Sequence, residues 1–155
     1  MASAIIPPPV AGYSFDHAPD LADPAERARL SRSAIRVFLN IAEKWQLTEA
    51  QARGLLNGIA SSTYHAWKRE SSARKPDRGS SRGLDQDTMM RISLIIGIYK
   101  ALHIYFSDSW ADRWITLGNR GTLFAESSPI DYMLRQGQPG MLEVRRMLDS
   151  WRGGR

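Results

Sequence analysis

Residues 48–69 read TEAQARGLLNGIASSTYHAWKR, and this stretch predicts two short helices joined by a tight turn. Thr48, with Gln51 three residues later, forms the pattern of a capping box, in which each side chain satisfies a free backbone amide of the first helical turn. Gly58 is expected to end this helix, because glycine readily adopts the left-handed backbone that a tight turn requires. The stretch therefore has the order helix, turn, helix.

The second helix is expected to begin at Ser61 or Ser62, whose hydroxyl would cap it. Tyr64 and Trp67 are three residues apart and share one face, which predicts that both are buried. Gly54 is the small residue expected where the two helices cross. These spacings are typical of a helix-turn-helix unit.

The outward positions of the second helix carry short polar side chains followed by cations, namely Ser61, Ser62, Thr63, His65, Lys68 and Arg69. Short donors and acceptors can approach base edges, and cations can bind phosphates, so this face suits a recognition helix. An ordinary helical hairpin with a solvated outer face is the alternative. The sequence also leaves open whether His65 contacts a base or packs against the turn.

Positive charge is concentrated around the helix-turn-helix unit. Residues 53–82 contain seven Lys and Arg against two acidic residues, a local excess that equals the net charge of +5 of the whole chain. A polyanionic partner explains this concentration. The predicted DNA-binding residues are Gln51, Arg53, Ser61, Ser62, Thr63, His65, Lys68, Arg69, Arg74 and Lys75. The last two lie in a polar loop that follows the second helix, and this loop is open to interpretation as a plain hinge.

The composition limits the other classes of function. The chain has 155 residues, 43% of them hydrophobic, which is enough for one domain or for two small domains that share a core. It has no cysteine, and its three histidines are scattered, so we expect no disulfide, no metal site and no cofactor. Because no catalytic motif occurs, we do not expect an enzyme.

The amino-terminal residues 1–22 are rich in proline and small residues and predict a flexible leader. They lack a basic segment followed by a long apolar run, so we expect neither a signal peptide nor a membrane anchor, and we expect a cytoplasmic protein.

Two longer helices complete the predicted all-α fold. Asp23 followed by Pro24 is a strong helix start, and apolar residues then recur at spacings of three and four as far as Trp45. From Asp85 to Phe106 the sequence is apolar nearly all round, which predicts a buried central helix. Either a second copy of the chain or both halves of the same chain would cover it.

The last third carries a further set of signals. Short helices are predicted after residue 107 and from Pro129 to Gly137, and a final helix from about Pro139 carries Met141, Val144, Leu148 and Trp151 on one face. Trp114-Ile115, Asn119, Leu123, the run SPIDYML at 128–134, Gly137 and the run MLEV at 141–144 follow one another at characteristic spacings.

This pattern resembles the toxin-binding domain of the ParS/MbcA/Xre-type antitoxins, which are partners of RES-domain toxins. The resemblance covers residues 25–155 and is most specific from Asn119 to Leu148. It implies an Xre-like helix-turn-helix domain at 23–83 and a helical toxin-binding and dimerisation domain at 84–155, which share the long central helix.

The resemblance also implies what the chain does. It would neutralise a RES-domain toxin that uses NAD and is encoded by an adjacent gene, and the complex would repress its own operon at operator DNA. The chain would form a homodimer within a hetero-oligomer. Its carboxyl-terminal segment would enter the toxin's NAD cleft, and the implied toxin-binding residues are Arg145, Arg146, Leu148, Trp151, Arg152, Gly153, Gly154 and Arg155. A stand-alone helix-turn-helix transcription repressor is the alternative.

Overall fold

The computed structural model describes residues 19–73, 83–119 and 123–153. Within these ranges the regular structure is helical, and no strand occurs in them, so the predicted all-α fold class is confirmed. The helices are α1 Pro24–Lys44, α2 Glu49–Leu55, α3 Ser61–Ser72, α4 Gln86–Tyr105, α5 Asp108–Trp114, α6 Pro129–Gln136 and α7 Gln138–Gly153.

Helix α1 begins where the sequence predicts. The Asp23 carboxylate accepts a hydrogen bond from the Ala25 amide at 2.9 Å, and Pro24 occupies the first helical position. Phe38 and Ile41 lie on the inward face and are buried. The apolar spacing of the sequence therefore identifies the face of α1 that packs.

The start of α1 is joined to the start of α4. Arg27 Nε donates to the Leu84 carbonyl at 3.0 Å, and Ser31 Oγ accepts from the Leu84 amide at 2.8 Å. Arg27 Nη1 also donates to the carbonyls of Leu21 and Ala22, the last residues of the predicted leader. Residues 1–18 of that leader lie outside the described residues.

Helix α4 is the centre of the fold, and α1, α5 and α7 pack against it. Ile92, Ile95 and Leu102 on α4 are at most 1% exposed. Each fully buried aliphatic side chain of this size stabilises the fold by about 1.5–3 kcal/mol relative to an exposed one. Of the two explanations for the apolar surface of α4, the structure shows coverage by both halves of the same chain.

The turn between α2 and α3 has left-handed backbone at two successive residues. Asn57 has a φ of 61° and Gly58 a φ of 73°. The Gly58 amide donates to the Arg53 carbonyl at 2.8 Å, which satisfies a carbonyl at the end of α2. The predicted role of Gly58 is confirmed.

Gly54 marks a close approach between α2 and α6. A Cβ atom at this position would lie 2.8 Å from Leu134 Cδ2. The prediction that a small residue is needed here is confirmed, but the expected neighbour was α3. The neighbour is α6, because α6 packs directly against α2 and the Leu134 side chain fills the space above the glycine.

His103 connects the end of α4 to α5. Its Nδ1 lies 2.9 Å from Asp108 Oδ1 and its Nε2 lies 2.9 Å from Asp112 Oδ1. The imidazole also packs on the Tyr99 ring, with the ring centroids 4.2 Å apart. These contacts hold α5 against the last turn of α4.

The final helices also follow the sequence signals. Ser128 Oγ accepts from the Asp131 amide at 3.2 Å and caps α6, and Gly137, with a φ of 68°, separates α6 from α7. Helix α7 extends to Gly153. Trp151 packs against Tyr105 and Trp114 and so holds the last turn of α7. A glycine in this turn lowers the stability of the helix by only about 1 kcal/mol.

Candidate functional site

Helix α3 turns one face inward and one face to solvent. Tyr64 and Trp67 are 3% and 8% exposed, so they anchor the helix in the core as predicted. The opposite side consists of exposed polar and cationic residues, which we call the α3 outer face: Ser62, Thr63, His65, Lys68 and Arg69. Five of the predicted DNA-binding residues therefore lie together on one accessible surface.

The start of α3 differs from the prediction. The residue before the helix is Ala60, and no side chain caps the first turn, so the prediction of a Ser61 or Ser62 cap is wrong. Ser61 Oγ instead donates to Glu49 Oε1 on α2 at 2.6 Å. The hydroxyl is engaged by this carboxylate and does not satisfy the amides of its own helix.

Glu49 is the centre of a small polar network between α2 and α3. Besides Ser61, its carboxylate faces His65 Nε2 at 3.2 Å and Arg53 Nη1 at 3.8 Å. The Ser61 hydrogen bond, with the nearby His65 and Arg53 charges, holds the pKa of Glu49 below its ordinary value of 4.5. Glu49 is not among the predicted DNA-binding residues, although its place in the first turn of α2 is a usable sequence signal.

Two other predicted DNA-binding residues bond to their own unit. Gln51 forms the predicted capping box, because its side chain accepts from the Thr48 amide at 3.0 Å and its amide donates to Thr48 Oγ1 at 3.1 Å. Arg53 Nε donates to the Ile59 carbonyl at 2.7 Å and so fixes the turn. Both residues hold the shape of the α2 and α3 pair.

Lys68 lies over the ring of Tyr64, with Nζ 5.0 Å from the ring centroid. Burial, followed by the charge of Glu49, raises the pKa of Tyr64, so this phenol stays neutral beneath the lysine. The predicted basic-loop residues Arg74 and Lys75 lie outside the described residues.

The predicted toxin-binding residues divide into buried and accessible ones. Leu148 is 0% exposed, so its assignment to a partner contact is wrong in this structure, because the side chain belongs to the core. Arg145 packs over Gly97 of α4 and pairs with Asp149 at 3.1 Å. Arg146 is exposed, and Trp151 is 42% exposed. The side chain of Arg152 and residues 154–155 lie outside the described residues.

Trp151 belongs to a cluster that we call the aromatic end, formed by Tyr105, Trp110, Trp114 and Trp151. Trp151 meets Tyr105 and Trp114 edge to face, with ring centroids 6.1 Å apart in both pairs. Trp110 lies one helical turn before Trp114, is 53% exposed, and has the Arg113 guanidinium 5.4 Å from its ring. Exposed tryptophans are typical of protein interfaces.

In the part of the chain that the structure describes, no group of three or more His, Asp or Glu side chains is placed to hold a metal ion. None of the helices in these same residues is long and apolar enough to span a membrane.

Comparison with known proteins identifies a family. The chain belongs to the same family as the uncharacterized protein y4oB of Sinorhizobium fredii, to which it is 33% identical over 121 residues, covering 77% of this chain and 84% of that protein. No protein-family model matches the sequence. No solved structure matches it either.

Proposed function

We propose that the chain is an antitoxin that binds operator DNA through α2 and α3 and binds a RES-domain toxin, encoded by an adjacent gene, through α5 to α7. The proposal rests chiefly on the α3 outer face, an exposed polar and cationic helix surface whose other side is fixed in the core by Tyr64 and Trp67.

The dimensions of α3 suit a recognition helix. Its 12 residues make a rod about 18 Å long, and the major groove of DNA, about 12 Å wide, admits one helix. Ser62 and Thr63 in its first turn would approach base edges, while Lys68 and Arg69 one to two turns later would contact phosphates. The Glu49 network and the Arg53 contact to Ile59 preset the angle between α2 and α3, so little ordering is required on binding.

The other half of the proposal concerns the aromatic end. Half-exposed Trp110 and Trp151, with the Arg113 guanidinium over the Trp110 ring, have the residue types that dominate protein interfaces. This surface is formed by α4, α5 and α7, within the proposed toxin-binding domain 84–155. The proposed DNA-binding domain is 23–83.

In this proposal the protein acts in the cytoplasm as a homodimer within a hetero-oligomer, requires no cofactor and catalyses no reaction. The toxin supplies the chemistry, and the antitoxin blocks its cleft and represses the operon.

A reciprocal pair of double variants tests the division of labour. Lys68→Ala with Arg69→Ala should weaken binding to the upstream promoter fragment and lower the salt dependence of log K by roughly one unit per lysine or arginine removed. The matched control, Arg113→Ala with Arg146→Ala, also removes two exposed cations and should leave that salt dependence unchanged. Equal effects of the two pairs would mean that the α3 outer face is not the docking surface.

Co-expression with the product of the adjacent gene tests the toxin half. Deletion of residues 153–155 should restore toxicity while promoter binding persists. Undiminished neutralisation would refute insertion of this segment into the toxin. A chain that binds the promoter as a homodimer and ignores the neighbouring gene product would be the stand-alone repressor instead.

A further inference from the structure

His65 is held against α2 through one specific ring nitrogen. Its Nε2 lies 3.2 Å from Glu49 Oε2, while its Nδ1 has no hydrogen-bond partner among the described residues. The side chain is 51% exposed and belongs to the α3 outer face.

The position of the carboxylate determines which nitrogen carries the proton when the ring is neutral. A neutral imidazole has one N–H donor and one lone-pair acceptor, and a lone pair facing a carboxylate would be repelled. The neutral ring therefore keeps its proton on Nε2, toward Glu49. Its Nδ1 is then an acceptor, and it becomes an N–H donor only when the ring is protonated.

We propose that Glu49 fixes the tautomer of His65 and thereby makes His65 a base-reading residue whose free nitrogen changes from acceptor to donor on protonation. This inference rests on the proposed DNA binding, and it goes further by assigning a specificity role to a residue pair and a pH dependence to the readout.

The chemistry of the major groove gives the direction of the change. An acceptor at Nδ1 pairs with the amino groups of adenine or cytosine, whereas a donor at Nδ1 pairs best with guanine, whose major-groove edge presents two acceptors, O6 and N7, and no donor. Neutral His65 thus favours adenine or cytosine at its contact position. Protonated His65 favours guanine at the same position.

The charged groups around His65 are compatible with this role. Glu49 faces the ring from α2 and is also paired with Arg53, while Lys68 and Arg69 lie about one turn further along α3 and the Tyr64 ring centroid is 6.2 Å away. The pKa of Glu49 is below its ordinary value, chiefly because Ser61 donates to it. Glu49 therefore remains a carboxylate across the range in which histidine side chains titrate.

A direct test of the tautomer needs no DNA. Long-range ¹H–¹⁵N spectra of the full chain at about pH 8, where histidines are mostly neutral, should show the His65 proton on Nε2. Glu49→Gln should give a mixture of tautomers, because an amide can either donate or accept. Glu70→Gln, which removes an exposed carboxylate of α3 itself, should leave the tautomer unchanged. A neutral ring protonated on Nδ1 in the wild type would overturn the inference.

The readout is tested by enriching a pool of randomised duplexes with the full chain at about pH 5 and about pH 8, which bracket histidine titration. One position of the enriched site should change from adenine or cytosine at the higher pH to guanine at the lower pH, with a change in relative affinity on the order of tenfold. Glu49→Gln should reduce this change. His65→Gln should abolish it, since glutamine does not titrate.

The outcomes separate this inference from the proposed function. Enriched sites with the same base preference at both pH values would leave DNA binding standing and overturn the role of Glu49 and His65. Failure to enrich any sequence at either pH would overturn the proposed DNA binding, and the inference with it.

Discussion

The α3 outer face and the aromatic end both carry cations, but they present them in different surroundings. On α3, Lys68 and Arg69 stand among short polar side chains such as Ser62 and Thr63. At the aromatic end, Arg113 stacks over a half-exposed tryptophan. The first surface is polar, while the second exposes apolar aromatic area.

This difference supports the proposal of two different partners. Interfaces with nucleic acid are polar, wet and cationic, whereas the centre of a protein interface is enriched in aromatic residues and arginine. The number of positive charges does not distinguish the two surfaces. The side chains beside each cation distinguish them, because they are short and polar on α3 and aromatic at the aromatic end.

The largest effect on stability is expected at Leu148, which belongs to the core and not to the aromatic end. Because Leu148 is 0% exposed, Leu148→Ala should lower the free energy of unfolding by about 2–5 kcal/mol in urea denaturation. The matched control is Leu142→Ala on the same helix, where the side chain is 36% exposed and the loss should stay below about 1 kcal/mol. Equal losses at both positions would contradict the assignment of Leu148 to the core.

A second test concerns the contact between α2, in the proposed DNA-binding domain, and α6, in the proposed toxin-binding domain. Gly54→Ala would place a Cβ atom against Leu134, so it should cost about 1–3 kcal/mol of stability by overpacking. Combining it with Leu134→Ala should cost less than the sum of the two single changes, because the shortened side chain makes room for the methyl group. Additive losses would show that α2 and α6 do not share this contact.

A third test sharpens the difference in partner. Trp151→Ala should weaken binding of the adjacent gene product by about 1–2 kcal/mol, since the half-exposed indole is a typical interface anchor. Isothermal titration calorimetry would measure this loss, and promoter binding measured in parallel should be unchanged. A loss of promoter binding with intact partner binding would reverse the assignment of the two surfaces.

The smallest expected effect is the pH dependence of the network that holds α3. Since the pKa of Glu49 is lowered by folding, its contribution to stability is present above pH 4.5 and is lost as the pH falls through the folded pKa. Thermal melts should therefore show wild type and Glu49→Gln converging as the pH is lowered below 4.5. A difference between them that grows in acid would contradict this sign.

Local signals in the sequence located most of the helix boundaries. Asp23, Thr48, Asp85 and Ser128 each cap the helix that follows, because capping is an interaction between residues two or three apart. The burial of Tyr64 and Trp67 was likewise predictable from their spacing on α3. The predicted role of a residue was wrong where its side chain bonds to a residue far away in the sequence, as Ser61 does with Glu49.

The sequence by itself determined the all-α class, the order of the helices and the cationic character of the α3 outer face, since these depend on periodicity, caps and composition. Only the tertiary structure decided that Gly54 lies under Leu134, that Leu148 is inside, and that Trp151 joins Tyr105 and Trp114 in one surface. The physical reason is the range of the interactions. Helix signals act within one turn, whereas these contacts join residues far apart in the chain that only the packing around α4 brings together.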